Sequence, residues 1–395
     1  HVLIKMTAIR FTRKLIPSCR GNLGILELNN PRPLHALTLD MIHCMSDVWT
    51  EWSDIRAILI KSSSTDLKVP AFCAGGDVKS VCQSGLSEPG NHGYGIPGLE
   101  TADFFRDEYR LNYRMAMATS SLQVPQISLW NGLVMGGGVG ISIHGKYRVA
   151  TENSILAMPE TAIGFFCDVG STWWMPRKLS IPLANYLALT GSRLLPSDLL
   201  YTGLATHYTP SNQLNELETA LVHATEQQQD DDSTKRDIIA PILMKFHHPI
   251  SLDDSFLAQN RSYIEETFQE TSVEAIVNNL EAMDNTFSQQ TLKTLTRMSP
   301  TSLKVTLEAL RRGASECKTI GDALAMEFRM SQVFMRPKSD FYEGIRAMLI
   351  DKDQKPKWNP RTLQDVTPDI VESYFASLAT EYEWTPTELE LRSQL

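Results

Sequence analysis

Apolar and polar residues partly alternate from Leu23 to Asn29 (LGILELN) and then meet Asn30-Pro31, the pattern of a strand that runs into a turn. In the following stretch, TLDMIHCMSDVW, the residues Leu39, Ile42, Met45 and Val48 recur at helical spacing, and Thr38 at its start is a residue type that caps helix N-termini. Ala57 to Ile60 (AILI) is a short apolar run suited to a buried strand. A polar stretch, Ser62 to Lys68, separates it from AFCAGGDV at Ala71 to Val78. Residues Ser84 to Gly98 hold five glycines and two prolines, which predicts an irregular, mobile loop. A helical pattern spans Thr101 to Met117, and Val124 to Trp130 reads as a strand. The glycine run Gly136-Gly137-Gly138 opens an apolar helix, and Tyr147 to Ala150 and Ile155 to Met158 are short strands. A unit of strand, glycine-rich turn, helix and strand thus recurs up to about residue 180, which predicts α/β architecture with parallel strands.

Beyond that point the pattern is helical: Ile181 to Thr190, Pro196 to Tyr201, Gln213 to Gln228, Leu280 to Leu295, Ser302 to Arg312 and Ile320 to Met335. An acidic polar patch from Gln227 to Asp237 reads as a solvated loop. The division expected from this change is an α/β core over residues 1–180 and a mostly helical region over 181–395. No internal repeat is evident. The 395 residues exceed what one hydrophobic core commonly organises, which fits a core with an extension.

Composition narrows the function classes. The chain is 42% hydrophobic and 21% charged, ordinary for a globular protein, with a formal net charge of -9 and a pI near 5.5. That acidity argues against a protein that holds nucleic acid by bulk charge. No apolar run approaches the length of a membrane span. The six cysteines form no C-x-x-C pair and none stands beside a histidine at zinc-ligand spacing, so no metal site is expected, and scattered thiols fit a reducing compartment. The first twenty residues carry Lys5, Arg10, Arg13, Lys14 and Arg20 and no acid. Two readings stand: the charge bias of a mitochondrial transit peptide, or a basic N-terminal strand or hairpin.

Three segments carry chemistry. The turns Ala74-Gly75-Gly76-Asp77 and Met135-Gly136-Gly137-Gly138 each follow a predicted strand. Backbone N–H groups at a helix start are unsatisfied, and two of them aimed at one oxygen make an oxyanion hole. Tight helix–strand packing is the bland alternative; a dinucleotide or nucleotide site is disfavoured because neither G-x-G-x-x-G nor G-x-x-x-x-G-K-[ST] occurs. The third segment is MPETAIGFFCDVG, in which Glu160 and Asp168 stand eight residues apart among apolar and glycine or proline neighbours. Buried carboxyls in such surroundings have raised pKa values and suit acid–base or nucleophilic work; a surface Glu with a helix-capping Asp is the structural alternative. His144 and His207 lack a third partner for a metal site or triad and read as packed structural residues.

Taken in order, these segments resemble the crotonase (enoyl-CoA hydratase/isomerase) superfamily, with AFCAGGDV similar to its first oxyanion turn and GLVMGGGVGISIHGKYRVAT to its second. The narrower resemblance is to the 3-hydroxyisobutyryl-CoA hydrolase family. It rests on MPETAIGFFCDVG, on EYRLN at Glu108 to Asn112, and on the tail SPTSLKVT with FYEGIRAMLIDKDQKPKW from Phe341 to Trp358. It covers roughly Leu23 to Tyr374. The implied fold is the ClpP/crotonase-like spiral of ββα units with a mostly helical C-terminal region. The implied activity is hydrolysis of a short-chain 3-hydroxyacyl-CoA, 3-hydroxyisobutyryl-CoA in valine catabolism, without a separate cofactor since coenzyme A is part of the substrate.

By the same resemblance, N–H groups of Gly76 and Gly137 polarise the thioester carbonyl. Glu160 is the principal catalytic carboxylate, as nucleophile or as base for water; Asp168 holds the 3-hydroxyl and orients the water; Glu108 lines the acyl pocket. A mitochondrial location and an acyl-CoA partner follow, with a homo-oligomer possible and neither membrane nor direct nucleic-acid contact expected. Lys79 reads as a surface lysine, with a contact to the coenzyme A phosphates as its alternative. The sequence departs from the family pattern at Cys167, usually Pro, and at Ser171-Thr172, usually Gly. Asn30 and His35 replace common residues of a structural N-terminal stretch. A longer segment, Tyr113 to Val124, could re-aim Glu108. Cys167 itself reads as a small buried residue. Proteins resembling this family also occur as structural subunits of mitochondrial ribosomes, so association with mitochondrial ribosomal proteins is the alternative role.

Overall fold

The computed structural model describes residues 9–14, 23–51, 55–63, 69–87, 95–120, 124–226 and 237–386. Nine strands occur among them: β1 (Ile9–Lys14), β2 (Leu23–Leu28), β3 (Ala57–Ser62), β4 (Ala71–Cys73), β5 (Gln126–Trp130), β6 (Leu133–Met135), β7 (Tyr147–Ala150), β8 (Ile155–Ala157) and β9 (His207–Tyr208). They form a six-stranded sheet in the order β1-β2-β3-β5-β7-β9 and a three-stranded sheet in the order β4-β6-β8. Every pairing is parallel except that of β1 with β2. The chain therefore lays one strand in the large sheet, the next in the small sheet, then a helix or turn, and repeats. This is the spiral of ββα units.

Both faces of the large sheet are covered, as parallel sheets require. On one face Leu23, Ile25, Ala57, Leu59, Ile127, Leu129 and Val149 pack against Leu217 and Leu221 of the helix Leu214–Glu226 and against Ile239 and Leu243 of the helix Ile239–Phe246. The alternate residues, Leu26, Leu28, Ile58 and Ile60, face the main core. That two-sided burial explains why AILI reads as an unbroken apolar run.

Five helices frame the small sheet: α1 (Leu39–Glu51), α2 (Val78–Ser87), α3 (Glu100–Ser120), α4 (Gly137–Ile143) and α5 (Ser171–Lys178). Thr38 caps α1, its Oγ1 accepting from Met41 N–H at 3.2 Å. Asn30 and His35 close the preceding turn: Asn30 N–H donates to His35 Nδ1 at 3.2 Å and Asn30 Nδ2 donates to Ala36 O at 3.0 Å.

Three expectations change. The first part of the Ser84 to Gly98 stretch is not loop, because α2 continues to Ser87; residues 88–94 lie outside the described ones. Leu280 to Leu295 is not one helix. Asp284 takes a left-handed conformation (φ 41°) between Val273–Met283 and Thr286–Leu295, and Asn285 caps the second helix by accepting from Ser288 N–H at 2.8 Å. Helical periodicity ran through the break because both helices bury the same core. Third, α5 was not foreseen: Pro176 lies inside it, and its eight residues are too few to show a period. Of the polar stretches, residues 64–68 and 227–236 lie outside the described residues, as do Lys5, Arg20 and residues 121–123; Arg10, Arg13 and Lys14 fall in β1.

Candidate active site

Strands β4, β6 and β8 lie side by side and parallel, so their carboxyl ends are neighbours, the end at which open parallel sheets bind ligands. β4 runs into Gly75-Gly76, β6 into Gly136-Gly137 and β8 into Pro159-Glu160. The three chemistry-bearing segments of the sequence thus meet because of strand order.

At the first turn Leu37 pairs with Gly76. Leu37 N–H donates to Gly75 O at 2.8 Å and Asp77 N–H donates to Leu37 O at 2.7 Å. This parallel bridge uses the groups flanking Gly76 and leaves the Gly76 N–H on the other side of the strand. At the second turn Gly137 is the first residue of α4, so its N–H has no acceptor within the helix. Neither N–H donates to another group among the described residues. They are close together: a Cβ on Gly137 would stand 3.2 Å from Gly76 N and would collide with Glu108 Oε1. Gly136 takes φ 41°, and a Cβ there would stand 2.8 Å from Glu160 Oε1. Both turns thus need glycine so that backbone amides and carboxyl groups can approach.

The acids come from two places. Glu160 opens a single 3-10 turn, Glu160–Ile163, directly after β8 and is 6% exposed. Its Oε2 accepts from the Cys167 thiol at 3.4 Å, which leaves Oε1 over Gly136. Asp168 is 5% exposed, and its Oδ2 accepts from the Tyr109 hydroxyl at 2.8 Å. Glu108 lies on α3 beside Tyr109 and is 2% exposed. One turn further along α3, Asn112 is fully buried against Gly140, with neither end of its carboxamide paired among the described residues.

Electrostatics follows from burial. Desolvation, with the Asp168 charge added, lifts Glu160 to about 8. Desolvation lifts Asp168 to about 7 against the pull of the Tyr109 hydrogen bond. Glu108 is raised well above the carboxylate range by burial and then by the charges of Asp168 and Glu160. Three acids in one dry cluster cannot all ionise near neutrality. Burial and mutual repulsion thus hold all three acids toward their protonated forms.

All five residues expected from the sequence, Gly76, Gly137, Glu108, Glu160 and Asp168, meet here. The longer segment after Glu108 extends α3 to Ser120, and Glu108 still faces Gly137. Cys167 is buried, its thiol pushed well above its ordinary range by burial and the Glu160 charge. His144 ends α4 beside Gly170 and is lowered to about 4 by burial. His207 packs on Tyr147 and His247. No group of acids, histidines and cysteines able to hold a metal occurs among the described residues. Lys79 is exposed on α2.

Two partners were missed. Tyr109 stands in the quoted EYRLN, but spacing alone does not show which neighbour of Glu108 turns inward. Glu327 is buried on the helix Ile320–Phe334, where its carboxylate accepts from Gly170 N–H (2.7 Å), Thr172 N–H (3.1 Å) and Thr172 Oγ1 (2.6 Å). Its signal was an acid on the apolar stripe Leu324, Glu327, Phe328 and Ser331.

Residues 23–375 match the enoyl-CoA hydratase/isomerase family. The chain belongs to that family. Within it, the chain is 41% identical over 365 residues to the mitochondrial 3-hydroxyisobutyryl-CoA hydrolase of Xenopus tropicalis, covering 91% of this chain and 87% of the relative. The hydrolase of Homo sapiens is likewise 41% identical over 365 residues, covering 91% and 88%. Among solved structures, a carnitinyl-CoA dehydratase from Mycobacterium thermoresistibile superposes with a TM-score of 0.79 at 32% identity, covering 95% of this chain and 98% of that one. An enoyl-CoA hydratase from Rhodobacter sphaeroides 2.4.1 gives 0.77 at 31% identity, covering 95% and 99%. The family member described here thus has the crotonase fold, and the relatives of highest identity reported above are named hydrolases. No helix among the described residues is long and apolar enough to cross a membrane.

Proposed function

We propose that this chain hydrolyses a short-chain 3-hydroxyacyl-CoA thioester, 3-hydroxyisobutyryl-CoA above others, to 3-hydroxyisobutyrate and coenzyme A, and that it does so in mitochondria. The observation that carries the reading is the placement of Glu160 Oε1 over Gly136, one residue before Gly137, which lies close to the amide of Gly76. A carboxylate next to paired amide donors is what attack on a thioester carbonyl demands.

In this reading the carbonyl oxygen lies between the N–H groups of Gly76 and Gly137, which stabilise the negative charge that develops on it. Glu160 either attacks the acyl carbon, giving an anhydride that water then opens, or removes a proton from the attacking water. In both routes the carbon–sulfur bond breaks, a carbon–oxygen bond forms, and the coenzyme A sulfur leaves as thiolate and is protonated. Asp168, aimed by Tyr109, holds the 3-hydroxyl and orients the water. Glu108 closes the acyl pocket beside Gly137. No separate cofactor takes part, since coenzyme A enters as part of the substrate.

The test is release of free thiol from 3-hydroxyisobutyryl-CoA by the purified chain. Glu160→Ala and Asp168→Ala are expected to lower kcat by on the order of 10³-fold or more while the circular dichroism spectrum is retained. Wild-type thiol release by either variant overturns the assignment. Turnover of crotonyl-CoA to a hydrated product, without thiol release, would instead place the chain with the hydratases. The alternative role among mitochondrial ribosomal proteins gains no support from the relatives reported above, which are named hydrolases.

A further inference from the structure

The segment that follows Asp168 is built against the preference of its residues. Val169 takes φ 55° and Gly170 takes φ 76°, both left-handed. Glycine adopts that region freely, whereas a β-branched residue does so only when its surroundings over-determine it. The surroundings are specific. Val169 is fully buried, and its side chain fills the space a Cβ on Gly140 would need. On the other side of the turn, Glu327 reaches in from the helix Ile320–Phe334 and takes the N–H of Gly170, the N–H of Thr172 and the Thr172 hydroxyl. These amides belong to the N-terminus of α5, where backbone N–H groups lack partners within the helix. Ser171 N–H closes the same turn on Asp168 O at 3.0 Å.

We propose that Glu327 is a positioning residue for the hydrolytic reaction: its buried carboxylate clamps the Asp168–Thr172 turn and so fixes the direction in which Asp168 meets the acyl group. The inference rests on the hydrolase reading. Thr172 is one of the residues at which the sequence departs from the family pattern, and here its hydroxyl supplies the shortest of the three bonds to Glu327. Helix Ile320–Phe334 also holds the start of α3 and the segment before it, because Gln332 Nε2 donates to Thr101 O at 3.3 Å and its Oε1 accepts from Gly95 N–H at 3.0 Å. One helix from the C-terminal half thereby grips both segments that face Asp168.

The clamp gives the idea a readout beyond stability, because it fixes a turn beside the acyl group and so bears on kcat more than on KM. Asp168 is faced by Tyr109 and Glu108 from α3 and by Glu160 and Cys167 from its own segment, while His144 at the end of α4 lies against the next turn residue but one, Gly170. Glu327 adds a buried acid, raised to about 8 by desolvation while its three donors pull it back, with the Asp168 charge raising it further.

The experiment measures kcat and KM for 3-hydroxyisobutyryl-CoA across pH with wild type, Glu327→Gln and Thr172→Val. Glu327→Gln keeps the shape but turns an amide group against one of the donors. It is expected to lower kcat per folded enzyme on the order of 10- to 100-fold with KM within about twofold, a split that a loss of stability alone would not give. Thr172→Val removes one hydroxyl donor and leaves the carboxyl group, so a smaller fall in kcat at unchanged KM is expected. A folded Glu327→Gln enzyme with wild-type kcat overturns the proposal. Should that variant not fold, a Thr172→Val enzyme with wild-type kcat overturns it instead. A wild type that releases no thiol sinks the hydrolase reading itself, a result separable from these.

Discussion

Gly137 is constrained from two sides. Its backbone is ordinary for a helix start, so no strain bars a side chain there; what bars it is space, because a methyl would meet Glu108 Oε1 and crowd the Gly76 amide. Gly137→Ala is therefore expected to fold, yet to lose on the order of 10²- to 10³-fold in kcat, the usual cost of disabling an oxyanion donor. Wild-type thiol release by that variant would show that no carbonyl oxygen sits there. The acids make a second prediction, about stability. Burial raises Glu160 from 4.5 to about 8 and Asp168 from 3.8 to about 7, so the folded chain holds protons that the unfolded chain releases. Their contribution is complete below the unfolded values and is lost as pH rises through the folded ones. The urea midpoint should fall between about pH 4 and 8, and Glu160→Gln, neutral throughout, should be more stable than wild type by roughly 1–3 kcal/mol at pH 9. Equal pH dependence of the two proteins would mean that Glu160 is not buried in solution. At this scale the sequence was informative about identity and silent about contacts. Glu160 and Asp168 stood out as acids in apolar surroundings, whereas Tyr109 and Glu327 act through partners 59 and 157 residues away.

Among the elements, the short helix Asp340–Ile345 bears on the site most directly. It packs backbone to backbone on the turn that carries Glu160. A Cβ on Gly344 would run into Ile163 O, and a Cβ on Gly164 would run into Asp340 O. Asp340 secures the contact: Oδ2 accepts from Ser299 Oγ at 2.6 Å and Oδ1 from Asn359 N–H at 2.8 Å, while Ser299 N–H donates to Thr161 O at 3.1 Å. The tail motif on which the narrower resemblance in the sequence rests is thus a brace for the Glu160 turn. Because the obstacle at Gly344 is a backbone carbonyl, a methyl cannot be absorbed by a side-chain rotation. Gly344→Ala is expected to cost roughly 1–3 kcal/mol in urea unfolding and to lower kcat together with it. Unchanged midpoint and turnover would show that the brace is loose. Longer elements were legible because period and cap agree, as at Thr38 and α1. Six residues show no period, and Asp284 interrupts a helical pattern without breaking its apolar stripe, so the tail helix and the break at Asp284 were not legible.

Over the whole molecule, one buried apolar cluster runs from Leu26 to Trp384, with members on both sides of residue 180. At its centre, Phe165 and Phe166, which lie between Glu160 and Asp168, are surrounded by rings from distant segments. Phe165 has Phe105 of α3 at 5.3 Å, Phe334 at 5.2 Å and Phe341 at 5.6 Å between centroids, and Phe334 continues to Tyr374 at 4.6 Å. The stretch between Glu160 and Asp168 is thereby set in place by aromatic residues from α3 and from beyond residue 330. Local pattern marks where strands give way to helices but carries no trace of this, since an apolar position looks the same whichever partner it meets. A chain ending at Met335 would lack Phe341, Trp358, Tyr374, Phe375 and Trp384, each less than a tenth exposed. It would leave Phe165 and the Glu160 turn uncovered. Such a chain is expected to lose its near-ultraviolet circular dichroism and its cooperative thermal transition, and with them thiol release. Phe341→Ala in the full-length protein is the milder form of the same change, expected to cost roughly 3–5 kcal/mol. If the shortened chain melted cooperatively and turned over like wild type, the acids would have to be positioned by the strands alone, and the order β4-β6-β8 would suffice to build the site.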